Sequence, residues 1–253
     1  MPAPAPSSPR PRPFSYLPLL VSGLCALLVA QMAWHDPRYL VPFAAIAVVT
    51  TLPGFLARRR MRRLLMSGDV KRVLGTWEGS IERVMYPETM APLMAATAYA
   101  AYGWIEAARN ALERAAKGPA WEAALEQRLF IEALLETFEG EKAGALQKAE
   151  ALERMPMPRS GPLARARVAR MRRGVAAMAR AFAHRATEKD LKLLRVAAET
   201  SPLIHWAMRY AAAIVAIDGG EKTEAQRLLE GAPSWPQQSA FRSFHDELAQ
   251  QLA

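Results

Sequence analysis

From Ser67 to the C-terminus, the sequence alternates between segments with a helical pattern and short breaks at proline or glycine. Apolar residues recur every three or four positions, and no sustained alternation of β-branched and polar residues occurs. The first spacing places apolar residues on one face of a helix, whereas a strand needs a two-residue period. The sequence therefore predicts an all-α fold. The predicted helices lie near residues 69–85, 88–102, 104–117, 120–138, 141–154, 162–184, 187–199, 202–217, 221–231 and 237–252.

The segment AYAAYGWIEAARNALERAAKGP, residues 98–119, contains the clearest helical hairpin. Small and aromatic residues end one helix, a glycine permits the turn, and small residues give the second helix a narrow packing face. A proline closes the unit because it cannot continue a helix. The residues that define this pattern are Tyr99, Gly103, Ala108, Leu112, Ala115 and Pro119.

This pattern resembles the tetratricopeptide repeat (TPR). Looser copies occur at 134–156 and 212–233, and residues 186–202 look like a further second helix whose turn lacks glycine. The glycines and alanines at the corresponding places are Gly140, Ala145, Gly220 and Ala225. The resemblance covers roughly residues 88–233 and implies an α-solenoid of about four hairpins. It also implies a concave surface, lined by the first helix of each hairpin, that holds peptides or partner proteins.

Two uncharged runs, residues 14–34 and 39–57, precede the helical part. Each approaches the roughly 30 Å that a helix needs to cross the hydrocarbon layer. A cleavable signal peptide is disfavoured because no small-x-small site follows cleanly and a second run comes directly after the first. The sequence thus predicts a disordered proline-rich tail (1–13), a transmembrane helical hairpin (14–63) and a TPR-like domain (64–253).

Arginines flank the two runs unevenly. Arg10 and Arg12 precede the first run, and the short turn between the runs carries only Arg38, beside Asp36. The residues after the second run are Arg58, Arg59, Arg60, Arg62 and Arg63. Positive charge marks cytoplasmic ends, so both termini are expected in the cytoplasm. The cluster then acts as a membrane stop that contacts anionic headgroups of a bacterial inner membrane, and a nucleic-acid role is disfavoured.

Nine arginines and no acidic residue occur between Arg154 and Thr187. On the predicted helix 162–184 the apolar residues form one stripe, and Arg170, Arg173 and Arg180 lie away from it. One interpretation is a basic face for an acidic partner, an anionic lipid or a phosphate. The other is that these arginines pair with the acidic helix near 120–141. Nucleic-acid binding is disfavoured because the only aromatic residue of this helix lies on the apolar stripe.

Residues suited to catalysis or metal binding do not cluster in the sequence. The four histidines are far apart, and the single cysteine excludes a disulfide framework and a Cys-based zinc site. No phosphate-binding or dinucleotide-binding glycine motif occurs. Glu132, Glu136 and Glu139 share one helix face, which we interpret as a solvated acidic strip. We therefore expect no enzyme, no cofactor, no metal and no small-molecule substrate.

These features together favour a membrane-anchored scaffold or adaptor that binds a protein partner through a cytoplasmic TPR-like domain. The expected partners are protein and the lipid bilayer, not nucleic acid. An alternative is an accessory subunit of a membrane transport or secretion complex, because small residues on the first run suit close packing of membrane helices. A third interpretation, a lipid- or nucleic-acid-binding module, predicts binding that is sensitive to salt.

Overall fold

A computed structural model describes residues 31–32, 38, 40–81 and 84–252, which contain helices and no strand. The chain divides between Arg59 and Arg60 into two compact units. The helices are α1 (Leu40–Met66), α2 (Val70–Ile81), α3 (Pro87–Ala101), α4 (Ile105–Arg114), α5 (Pro119–Ala123), α6 (Leu125–Glu139), α7 (Lys142–Arg154), α8 (Pro162–Phe182), α9 (Glu188–Thr200), a 3₁₀ turn (Pro202–Ile204), α10 (His205–Asp218), α11 (Lys222–Leu229) and α12 (Ala240–Leu252).

The predicted transmembrane hairpin is contradicted. Among the described residues, no helix is both long enough and apolar enough to cross a bilayer. The arginine cluster, expected to follow the second run, lies inside α1, so one helix combines the apolar residues with the cations. The predicted hairpin, and with it the multi-pass inner-membrane location, is therefore wrong. The tail 1–13 and the run 14–34, except for residues 31–32, lie outside the described residues.

The helices after residue 69 begin and end within a few residues of the predicted positions. The main exception is the predicted helix 120–138, which is divided into α5 and α6 at Ala124. Pro119 was expected to close the first hairpin, but α4 already ends at Arg114 and Pro119 begins α5. A proline is well suited to this place because the first N–H groups of a helix have no partner within the helix.

Four consecutive helical hairpins form the second unit: α3–α4, α6–α7, α8–α9 and α10–α11. The first helix of each hairpin also packs against the first helix of the next, from α3 through α6 and α8 to α10. Helix α2 packs against α3, and α12 packs against α10 and α11. This contact pattern is typical of stacked helical hairpins. Their assignment as tetratricopeptide repeats stays a prediction.

Left-handed residues reverse the chain in the hairpins. Gly103, Gly140 and Gly220 have φ values of 71°, 82° and 79°. The N–H group of the residue after each glycine donates to the carbonyl five positions earlier, at 2.8–2.9 Å. Glycine adopts positive φ without the clash that a Cβ would cause, which explains its place in these turns. The alanines at the fourth position of the following helices, Ala108, Ala145 and Ala225, are fully buried.

The third hairpin makes the same turn without glycine. His184 has a φ of 55°, and the N–H group of Arg185 donates to the carbonyl of Arg180 at 2.8 Å. The imidazole Nδ1 lies 2.9 Å from a carboxylate oxygen of Asp218, at the end of α10. A Cβ in the left-handed region is strained, so this turn stores conformational energy that the glycine turns do not.

Both ends of the second unit are joined to its hairpins, the end of α1 to the end of α3 and to the start of α10, and the start of α12 to the turn after α3. The Tyr102 hydroxyl donates to the Leu65 carbonyl at 2.6 Å, and Trp206 Nε1 donates to the Met66 carbonyl at 2.8 Å. These bonds satisfy two of the last carbonyls of α1, which have no partner within the helix. From the other end, the Ala240 N–H group donates to the Gly103 carbonyl at 2.8 Å.

Aromatic side chains fill the space between these chain ends and the first helices. Phe241 of α12 lies 5.2 Å from the ring of Phe138 on α6 and 5.3 Å from Tyr210 on α10. Phe244 lies 5.2 Å from Phe182 at the end of α8. Helix α12 thus lies against the C-terminal halves of α3, α6 and α8. We call this region the covered end of the array.

We expect Gly174→Ala to lower the free energy of unfolding by about 1–3 kcal/mol. Gly174 lies where α8 crosses α9, and an added Cβ would lie 2.8 Å from the Cβ of Ala197, which cannot move independently of its backbone. Gly75→Ala is the matched control, because Gly75 is also inside a helix but has no heavy atom within 4 Å of its added Cβ. That change should raise stability by about 0.5–1 kcal/mol. Urea unfolding measures both, and a neutral Gly174→Ala would contradict the close crossing.

Replacing His184 should reveal the strain of the third turn. His184→Gly and His184→Ala both remove the contact with Asp218, but only alanine keeps a Cβ at positive φ. The glycine variant should therefore unfold with a free energy about 1–2 kcal/mol higher than the alanine variant. Thermal unfolding of the two proteins side by side gives the difference. Equal stability would mean that this turn is not held in the left-handed region.

Candidate functional site

An open groove of about 1110 Å³ runs along the N-terminal halves of α6 and α8 and along α3 from Met90 to Thr97. Helices α3, α6 and α8 contribute one side, and residues 200–204, just before α10, contribute another. The end of α1, residues 84–86 and α5 complete the lining. The apolar side chains that line it include Leu65, Met90, Phe130, Val168, Met171 and Leu203. We call this cavity the groove.

Helical spacing brings these apolar side chains to one surface. Val168 and Met171 are three residues apart on α8, and Gln127 and Phe130 are three apart on α6, so each pair shares a helix face. Gln127 Nε2 donates to Thr97 Oγ1 at 2.9 Å, which ties α6 to α3 inside the groove. Most of the apolar lining residues are only half-buried, so the groove exposes part of their surface to solvent.

Arg172 organises the polar part of the site from behind the groove. Its side chain is 1% exposed, and its Nη2 lies 2.9 Å from Glu126 Oε1. The guanidinium also donates to the backbone carbonyl of Met155 at 2.5 Å and to that of Pro156 at 3.3 Å. One cation thus joins the start of α6, the end of α7 and the middle of α8. A planar guanidinium can satisfy several acceptors at once, as lysine cannot.

The three arginines of the predicted basic face have different surroundings. Arg170 is exposed and lines the groove, whereas Arg173 is exposed without lining it. Arg180 lies 2.5 Å from the buried carboxylate of Asp190, which also caps α9 through Thr187. Burial tends to raise the pKa of Asp190, but the hydrogen bonds from Arg180 and Thr187 outweigh it, and this pKa lies below its ordinary value. These three residues therefore do not form one free surface.

Arg172 is the residue that sequence reasoning missed. The alternative interpretation of the basic helix paired Arg170, Arg173 and Arg180 with the acidic helix, but the described pair with that helix is Arg172–Glu126. The available signal was spacing, because Arg172 is four residues after Val168 and three before Val175. It therefore lies beside the apolar stripe of α8, where an arginine must find a partner if it is buried.

The N-terminal arginine cluster is exposed along the last part of α1. Its members Arg58, Arg59, Arg60, Arg62 and Arg63 were assigned as a membrane stop. Arg62 instead lies 2.6 Å from Glu199 Oε2 and also donates to the Glu199 backbone carbonyl. The structure therefore gives this arginine an intramolecular contact with the end of α9. Both side chains are largely exposed, so the pair contributes little stability.

The acidic strip of α6 is engaged by neighbouring helices. Glu132 lies 2.5 Å from Lys148 on α7, and Glu139 forms a two-pronged ion pair with Arg109 on α4. Glu136 packs against Gly144, and burial raises the pKa of this carboxyl group above its ordinary value. The expected solvated strip is therefore an interface that joins α6 to both second helices.

The groove's charged groups are few. Glu126 is the only acidic residue among its described lining, and Arg167 and Arg170 are its cations. The described residues hold no group of three His, Cys, Asp or Glu side chains that could bind a metal ion. The buried His205 follows the groove at Ile204, its Nδ1–H donates to the Ala198 carbonyl at 2.9 Å, and burial lowers its pKa below the ordinary value. The arrangement offers apolar contact area with a basic edge.

Arg172→Met should destabilise the second unit by about 2–3 kcal/mol, because it leaves the backbone carbonyls of Met155 and Pro156, and the Glu126 carboxylate, without their donor. Arg173→Met is the matched control, since Arg173 is the adjacent residue and is exposed. It should change stability by no more than about 0.5 kcal/mol. Urea denaturation measures both. Equal effects of the two changes would contradict the organising role of Arg172.

Comparison with known proteins finds no matching family model, no similar curated protein and no similar solved structure. The tetratricopeptide resemblance therefore has no support from these comparisons beyond the residues that suggested it. The function has to be argued from the groove and from its place in the helical array.

Proposed function

We propose that the helical array is an adaptor that binds a segment of a protein partner in the groove. The observation that carries the proposal is the contrast between the two ends of the first helices. At the covered end, the chain's own Phe241 and Phe244 pack against α6 and α8. At the other end, Met90, Phe130 and Met171 line an unfilled space.

The size and composition of the groove support a protein segment as its occupant. Its volume of about 1110 Å³ lies above the usual range for small-molecule sites, roughly 300–1,000 Å³. Three methionines, Met85, Met90 and Met171, line it. Methionine side chains adapt their shape to different apolar partners and are common on protein-binding surfaces. The lining therefore suits a chain with several apolar side chains.

The resemblance to tetratricopeptide repeats agrees with this proposal. Proteins of that family hold peptides on the surface formed by the first helices of their hairpins, and the groove is built from the first helices α3, α6 and α8. A fold of this kind is used for many purposes, so the groove itself carries the functional argument.

Site-specific photo-crosslinking in the native host tests the proposal. A photoreactive amino acid at Leu203, in the groove, should give a discrete adduct with one or a few proteins. The same amino acid at Lys189, which is exposed and outside the groove, should not give that adduct. Combining the Leu203 probe with Met171→Arg should abolish the adduct, because a cation in the apolar wall cannot be buried without a partner.

Glu153→Arg provides the matched background, since Glu153 is exposed on α7 and does not line the groove. The adduct should persist in that variant. Circular dichroism establishes that the Met171→Arg protein is folded. An adduct that survives Met171→Arg, or that forms equally from Lys189, would refute binding in the groove.

A further inference from the structure

We infer that the segment held in the groove is acidic as well as apolar. The inference rests on the proposed function, because it names the chemistry of the partner for that same site. It follows from the balance of charge in the lining and from the unpaired arginines beside it.

The lining carries a net positive charge. Arg167 and Arg170 are exposed at the groove, and its one described acid, Glu126, is already held by the buried Arg172. The charge of Glu126 is thus balanced by Arg172, whereas the charges of Arg167 and Arg170 have no such partner. A ligand that brought lysines to this edge would meet repulsion, whereas carboxylates would gain charge-assisted hydrogen bonds.

The cations extend beyond the lining. Arg159, Arg165 and Arg173 are also exposed, two of them on α8 and Arg159 just before it. Among the described residues, none of these three, nor Arg167 or Arg170, forms an ion pair. In contrast, Arg154, Arg172 and Arg180 have carboxylate partners. Arg172 and Arg180 join helices through their carboxylate partners, and the five arginines without an ion pair are available to a ligand.

The first turns of α8 present these arginines openly. Every residue from Pro162 to Arg167 is exposed, and Leu163 is 86% exposed. A helix end that is exposed all round presents both cations and an apolar side chain to anything that lies in the adjoining groove. The complementary partner is an amphipathic segment whose apolar side chains contact Phe130 and Met171 and whose Asp or Glu residues face α8.

Two other candidate ligands fit less well. A nucleic acid would stack successive bases on several exposed aromatic rings beside the arginines, and the described lining of the groove offers one exposed ring, that of Tyr86. A purely apolar segment would leave Arg167 and Arg170 beside it without a counter-charge. An apolar wall beside a basic edge therefore favours a partner segment that is both apolar and acidic.

A display library of amphipathic helical peptides tests the inference on the full-length chain. Every peptide carries leucines at i, i+3 and i+7, and the flanking positions carry either Glu or Lys. We expect selection of Glu-rich peptides. Measured by fluorescence anisotropy, a selected peptide should bind roughly 10-fold more tightly than its Lys counterpart at low salt, and the difference should shrink as salt is raised.

Charge reversal separates this inference from the proposed function. The double variant Arg167→Glu/Arg170→Glu should reverse the preference in favour of the Lys peptide. Arg185→Glu is the matched control, because Arg185 is an exposed arginine of the same basic stretch that does not line the groove, and it should keep the Glu preference.

Each other outcome is decisive. If the selected peptides bind in a way that depends on Met171 but show no preference between Glu and Lys, the partner is not acidic, while the proposed adaptor function is still supported. If no selected peptide is sensitive to Met171→Arg, the adaptor function fails as well. A Glu preference that survives the double reversal would place the contact elsewhere. A single-stranded oligonucleotide of equal charge should compete poorly with the labelled Glu peptide. If it competes as strongly as the unlabelled Glu peptide, negative charge alone is recognised, and the inference of an apolar and acidic partner is overturned.

Discussion

Close contact between helices through alanine and glycine is the constraint on which the rest of this structure depends. Gly174 on α8 lies so near Ala197 on α9 that a Cβ added at Gly174 would clash with that of Ala197, and half of the buried residues of α8 and of α10 are alanine. Alanine removes little conformational entropy when it is buried, and it favours the helix. Small contacts of this kind bring the helices close but fill little volume. The large side chains must therefore pack elsewhere.

They pack where the ends of the unit cross the first helices. Phe241 and Phe244 enter from α12, while the last carbonyls of α1 accept hydrogen bonds from Tyr102 and Trp206. At the covered end, the rings from α12 thus pack against Phe138, Phe182 and Tyr210 of the hairpins. Along the N-terminal halves of α6 and α8, no described helix fills the space of the groove. The groove is therefore the part of the surface of α3, α6 and α8 that α12 leaves uncovered.

The sequence predicted helices and turns well, but it predicted poorly the features that depend on tertiary packing. Gly103, Gly140 and Gly220 were recognisable because a left-handed turn favours glycine, whereas His184 adopts the same conformation without that signal. Helix positions follow from periodicity, which depends on neighbours a few residues away. The groove draws on segments from residue 65 to residue 204, so its existence depends on packing that no local pattern encodes. The apolar run of α1 predicts a membrane span because it is uncharged over roughly 30 Å, whereas the helix in the structure continues through the arginines.

The hydrogen bond between Ala240 and Gly103 joins residues 137 positions apart, and Ser239 Oγ makes a second such bond to the Tyr102 carbonyl. In an open array, each hairpin contacts only its neighbours, so folding can begin at one repeat and spread, and a terminal repeat can be lost without much effect on the others. Here the last helix closes onto the first hairpin. The unit should consequently unfold in one cooperative transition, and during synthesis its core cannot be completed until α12 has left the ribosome.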